Sequence, residues 1–145
     1  MTILPQLQGS EKQIAWATDL RAALMVAIER LDAISEKEAA DAERAAQRGR
    51  SGEAHLTLSR LAREARDWLP AQTDARFWID LKTVHKIVAP AADGQFYQHN
   101  PAALDRDVDR VAQRMVAIYA TTVYGQNGGG DEAVARAVSN LRWLG

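Results

Sequence analysis

The stretch Ser10-Glu11-Lys12-Gln13-Ile14-Ala15-Trp16-Ala17-Thr18-Asp19-Leu20-Arg21-Ala22-Ala23-Leu24 decides the fold class. Ser10 followed three residues later by Gln13 is a capping-box pattern, in which each side chain meets the other's backbone N–H. Glu11 adds negative charge where the helix dipole is positive. Ile14, Ala17, Leu20, Leu24, Ile28 and Leu31 then recur at steps of three and four, as one buried helical face requires. The expected fold is all-α, a helical bundle of about five helices with a long first helix.

Beyond Ile34 the sequence reads Ser35-Glu36-Lys37-Glu38-Ala39-Ala40-Asp41-Ala42-Glu43-Arg44-Ala45-Ala46. It keeps helix-forming residues but loses every large apolar one. Residues 36–50 are therefore expected as a solvated helical extension, continuous with the first helix or offset at Ser35, with Gly49 and Gly52 bracketing its end. A second helix is expected over residues 53–69, with Leu58, Leu61, Ala65 and Trp68 on one face and Pro70 as its stop. The third is capped by Asp74 and carries Phe77, Leu81, Val84 and Val88 before Pro90. Residues 89–99 contain the turn signal Asp93-Gly94, compatible with a small hairpin. Asn100 caps the fourth helix and Pro101 opens it. Leu104, Val108, Val111, Met115, Ile118 and Thr122 follow as a 4-3-4-3-4 seam. Residues 125–130 are glycine-rich and read as a flexible linker. Asp131 caps a last helix with Val134, Val138, Leu141 and Leu144 apolar, and residues 1–145 read as a single helical domain.

Composition narrows the function classes. Alanine fills about a fifth of the chain, and it has the best helix propensity of any residue. With no cysteine there is no disulfide framework, thiolate zinc site or cysteine nucleophile. The net charge of −1 lacks the basic excess of a protein that neutralises many phosphates, and equally the acidic excess of a nucleic-acid mimic. No apolar run reaches the ~18 residues that suggest a membrane span, so no membrane association is expected. The opening Met1-Thr2-Ile3-Leu4-Pro5 has neither the basic flank nor the apolar stretch of a signal peptide, so a cytoplasmic setting is expected.

Catalytic and metal chemistry finds little support in linear spacing. His55, His85 and His99 share no three- or four-residue interval, so no metal site and no cofactor are expected. His85 lies seven residues after Trp78 and reads as a partly buried structural histidine. The run Asp105-Arg106-Asp107-Val108-Asp109 resembles a calcium loop, but Arg110 and Val116 stand where that loop needs glycine and glutamate. The glycine run lacks the Gly-Lys-Ser/Thr ending of a phosphate loop. The chain is expected not to be an enzyme.

Two features point instead to a partner. Glu36, Glu38, Asp41 and Glu43 precede Arg44, Arg48 and Arg50, with Arg60, Arg63 and Arg66 beyond. This is either a solvated face with intrahelical pairs or a basic ridge that docks on nucleic acid or an acidic protein surface. Phe96 and Tyr97, with His99, stand between helices, where they either pack down or serve as an aromatic anchor. A host protein complex is the expected partner, with nucleic acid held through a local basic patch as the alternative. The oligomeric state is open, because a second copy would also satisfy the seam of residues 104–122.

The segment Gly9-Ser10-Glu11-Lys12-Gln13-Ile14-Ala15-Trp16-Ala17, followed by Leu20-Arg21, resembles the opening motif of small, largely uncharacterised proteins of phages and mobile elements. Phe77-Trp78-Ile79-Asp80 matches a second segment frequent in those proteins. Leu20 replaces the usual isoleucine, and Leu81-Lys82 departs from the pattern. The resemblance implies genomic company in which small folded proteins often counter host defences, as anti-CRISPR proteins do, and it supplies no catalytic residues. A nucleic-acid-binding accessory protein of phage replication or transfer is the alternative. The motif also has a structural reading, with Trp16 and Trp78 expected to meet between the first and third helices.

Overall fold

The computed structural model describes residues 4–84, 101–125 and 128–142. Helix α1 spans Glu11–Gln47 without interruption, 37 residues. Helix α2 is Glu53–Trp68, followed by a 3-10 turn at Leu69–Ala71. Helix α3 is the short Ala75–Ile79, α4 is Pro101–Val123, and α5 is Glu132–Arg142. The fold is all-α. Among the described residues the nearest thing to a sheet is one isolated parallel bridge between Gln8 and Asp74.

Local chemistry starts each helix. The capping box of α1 is closed: the Ser10 backbone N–H donates to Gln13 Oε1 at 3.0 Å, and the Gln13 N–H donates to Ser10 Oγ at 3.2 Å. Asp74 accepts the Arg76 N–H at the start of α3. Asp131 accepts the N–H groups of Ala133 and Val134 at the start of α5.

The core forms where α1, α2 and α4 meet. Leu24, Ile28 and Leu31 of α1, Leu61 of α2, and Val111 and Met115 of α4 are all at 0% exposure. Each such side chain contributes about 1.5–3 kcal/mol of burial free energy. Val134, Val138 and Leu141 bring α5 onto the same cluster.

The segment before α1 is tied down as well. Leu7 is buried, the Gln8 N–H donates to the Thr73 carbonyl and the Ala75 N–H donates to the Gln8 carbonyl. Buried Arg21 reaches back to the Pro5 carbonyl at 2.7 Å. Most of the Gly9–Arg21 motif therefore has a structural task. Trp16 does not share it: it is 47% exposed with Lys82 Nζ above its ring, and it does not meet Trp78. Trp78 is instead fully buried, edge-on to Phe77, with its indole N–H donating to the Gln72 carbonyl.

Four further expectations need correction. The third helix does not run from Asp74 to Val88: α3 ends at Ile79, the chain turns at Asp80 and Leu81, and helical backbone resumes at 82–84. Ala75, Trp78, Leu81 and Val84 are all buried, at steps of three. A continuous α-helix rotates about 100° per residue, so nine residues would put Ala75 and Val84 on opposite faces. The break keeps all four on one core, with Leu81 N–H on the Trp78 carbonyl in a tightened turn.

The fourth-helix seam drifts for the same reason. Thr122 is exposed, while Ala112, Val116, Tyr119 and Ala120 join the buried face. Nor is the glycine-rich run a loose linker where it is described. Gly128–Gly130 is a tight turn of left-handed backbone, closed by the Asp131 N–H on the Gly128 carbonyl, with Gly128 buried. A Cβ on Gly128 would lie 2.7 Å from the Ala135 nitrogen, and one on Gly129 would lie 2.3 Å from the Tyr124 carbonyl oxygen. Both residues have positive φ, so glycine is required twice over.

The fourth correction is partial: residues 36–50 continue α1 to Gln47 and are mostly exposed, but Ala42 within them is buried, and so is Ser35 just before them. The expected hairpin at 89–99 lies outside the described residues, as do His85, Phe96, Tyr97, His99 and Leu144. No described helix is long and apolar enough to cross a membrane.

Candidate functional site

The far half of α1 is held to α2 by small and polar residues. Ser35 Oγ donates to the Ser59 carbonyl at 3.0 Å, and Ser59 Oγ donates back to the Ser35 carbonyl at 2.8 Å. Two buried serines with satisfied hydroxyls let the two backbones approach closely. One turn further on, His55 Nδ1 lies 2.6 Å from Glu38 Oε2. Beyond that, Gly52 sits on Ala42, where a Cβ would be only 2.7 Å from the Ala42 carbonyl oxygen. This ladder fixes the turn at residues 48–52 against α1.

The charged residues expected to bind a partner are arranged around this end. Glu36 and Glu43 are exposed on α1. Glu38 is mostly covered and turned to His55, and Asp41 pairs with Lys37 and Arg44. The hydrogen bond from Arg44 holds the Asp41 carboxyl below its usual range, with Lys37 adding to the effect. Arg48 caps α1 and Arg50 lies in the turn; both are exposed, and among the described residues neither makes an ion pair. So the fold brings Arg44, Arg48 and Arg50 to one end, but ties Arg44 to Asp41. Of the remaining basic run, Arg60 pairs with Asp131 and Arg66 with Asp32.

Folding also makes a donor group that linear spacing hides. Ligand atoms of Glu38, Asp41 and His55 lie within 4.8 Å of one another, a separation a metal ion spans. The expectation of no metal-ligating group is qualified to that extent. Asp41, however, already has two cationic partners, and Glu38 has His55. Two carboxylates thus face Lys37, Arg44 and an imidazole, and the group is electrostatically closed as it stands.

Linear reading also missed a surface on α4. Arg106, Arg110 and Arg114 are exposed and recur every four residues, so they lie along one stripe of the helix. Among the described residues none of the three makes an ion pair. Asp105 and Asp109 on the same helix are turned aside onto Arg30 of α1, at 3.0 and 3.2 Å. The four-residue interval was the available signal; the diversion of the aspartates was not visible without the fold.

A third polar group sits between α2 and the end of α4. The hydroxyls of Tyr119 and Tyr124 both donate to Glu64 Oε1 at 2.8 Å. Burial, then Glu64, raises the Tyr119 phenol well above its ordinary value; for Tyr124 the hydrogen bond to Glu64 is the main cause. Trp68 packs edge-on against both Phe77 and Tyr119. Such phenols are firmly protonated hydrogen-bond donors, unsuited to acid–base exchange near neutrality. Among the described residues His55 is the histidine present, and its partner is a carboxylate rather than a hydroxyl nucleophile. A cleft of about 320 Å³ between α2 and α5 is lined by Ser51, Glu53, Thr57, Arg136 and Asn140, with Arg136 paired to Glu53 across it.

Comparison of the chain with family models, with curated proteins and with solved structures found no match.

Proposed function

We propose that this chain is a non-enzymatic protein that acts by covering a surface of a larger complex. The observation that carries this reading is the end of the α1–α2 pair. There, exposed Arg48 and Arg50, unpaired among the described residues, project from a turn held in place by Gly52 on Ala42 and His55 on Glu38. Charges presented on a preordered turn lose little further entropy on docking, which favours affinity. Phe96, Tyr97 and His99 are proposed as a second, aromatic part of the docking surface.

The resemblance of the Gly9–Arg21 and Phe77–Asp80 segments to phage and mobile-element proteins supports a host defence complex as the partner. In that reading the protein works in the cytoplasm of a bacterium in the manner of an anti-CRISPR protein, and uses no cofactor. The test is affinity capture of host effector subunits from a bacterial lysate with the wild-type chain and with an Arg44→Glu/Arg48→Glu/Arg50→Glu variant. Effector subunits captured by the wild type and lost from the variant support the reading. Equal capture by both, or no defence subunit in either, overturns it.

A further inference from the structure

From the charge distribution on α4 we infer that its solvent face binds the phosphate backbone of a nucleic-acid duplex, a property separate from the docking end of α1 and α2. Arg106, Arg110 and Arg114 stand about 6 Å apart along the helix axis, because four residues rise 1.5 Å each. All three are exposed and, among the described residues, free of ion pairs. The same helix carries aspartates that would ordinarily cancel them. Arg30 of α1 draws Asp105 and Asp109 to the flank, so that of the three aspartates of this helix only half-buried Asp107 stands beside the arginines, in a chain whose net charge is −1.

The chemistry of the face selects the occupant. A protein interface of useful affinity is anchored by aromatic or large apolar side chains at its centre. Between these arginines and beyond them the stripe offers the small residues Ala103, Ala117 and Thr121, with Asp107 at its edge. Single-stranded nucleic acid is held largely by stacking on aromatic side chains, and the stripe has none. Arginine forks without apolar anchors match what a duplex presents, a row of phosphates with no exposed base faces.

The experiment is fluorescence anisotropy of a labelled, mixed-sequence DNA duplex titrated with the full chain over a range of salt. The expected result is sequence-independent binding whose logarithm falls with log salt at a slope of about −2.7, the value for three phosphate contacts. Each single Arg→Ala change reduces the slope by about one, and the triple Arg106→Ala/Arg110→Ala/Arg114→Ala variant loses binding. That variant keeps the wild-type circular-dichroism melt, since among the described residues the three exposed side chains make no hydrogen bond or ion pair. An Arg48→Ala/Arg50→Ala variant binds the duplex normally, which separates this face from the docking end.

Three results overturn the inference: no binding by the wild type at low salt, unchanged binding by the triple variant, or tighter binding of labelled polyglutamate of matched charge than of the duplex. The last would assign the stripe to an acidic protein.

Discussion

Ser35 and Ser59 exchange hydroxyl donors across the α1–α2 contact, and both are buried. The two hydroxyl oxygens stand 3.0 Å apart, so a larger side chain at either position meets the facing serine. Ser59→Leu is expected to destabilise by about 1–3 kcal/mol or more through overpacking, and Ser35→Ala by about 1 kcal/mol through a lost hydrogen bond. Chemical denaturation of the two variants measures both, and a tolerated Ser59→Leu would contradict the close approach. The paired phenols make a second residue-level test. Their ionisation is raised in the folded chain, so their contribution is present below the ordinary phenol pKa near 10 and is lost as pH climbs through the raised folded values. Absorbance titration should show Tyr119 and Tyr124 ionising above pH ~10, Tyr119 later and coupled to unfolding. A single step for all three tyrosines near pH 10 would count against the Glu64 cluster.

Helix starts were legible in the sequence because capping is local: Ser10 with Gln13, Asp74 and Asp131 act where their spacing places them. What was illegible needed partners distant in sequence. Ser35 and Ala42 look solvated in a run of alanines and charges, yet both are buried. Nothing near Asp80 breaks a helix locally; the break follows from putting Ala75, Trp78, Leu81 and Val84 on one core. His55 has no helical neighbour of its own kind, and only the pairing of α1 with α2 sets it against Glu38. The start of α5 carries a prediction at this scale. Backbone N–H donation from Val134, then Ala133, together with Arg60, lowers the Asp131 carboxyl. The cap is therefore fully effective above the ordinary carboxyl range and is lost as pH falls through the lowered value. Asp131→Ala should lower the Tm at neutral pH and flatten its acid dependence, while Asp131→Asn should keep most of the Tm. An unchanged melting curve for Asp131→Ala would show that α5 does not depend on this cap.

At the scale of the whole molecule, one apolar core joins α1, α2, α3, α4 and α5, and the function proposed above uses surfaces of that bundle. The charged end of α1 and α2 and the arginine stripe of α4 differ in their support: the first rests on a packed turn, the second on aspartates drawn away by Arg30. The first needs the far half of α1 to be a fixed part of the bundle rather than a solvated spur. Amide hydrogen exchange resolves that directly, because a packed helix exchanges through larger openings than a frayed one. Slow exchange is expected from residues 36–44, approaching that of residues 20–31, with a sharp loss of protection beyond Gln47. Exchange across 36–44 as fast as in an isolated peptide helix would contradict the account and remove the basis for a preordered docking end.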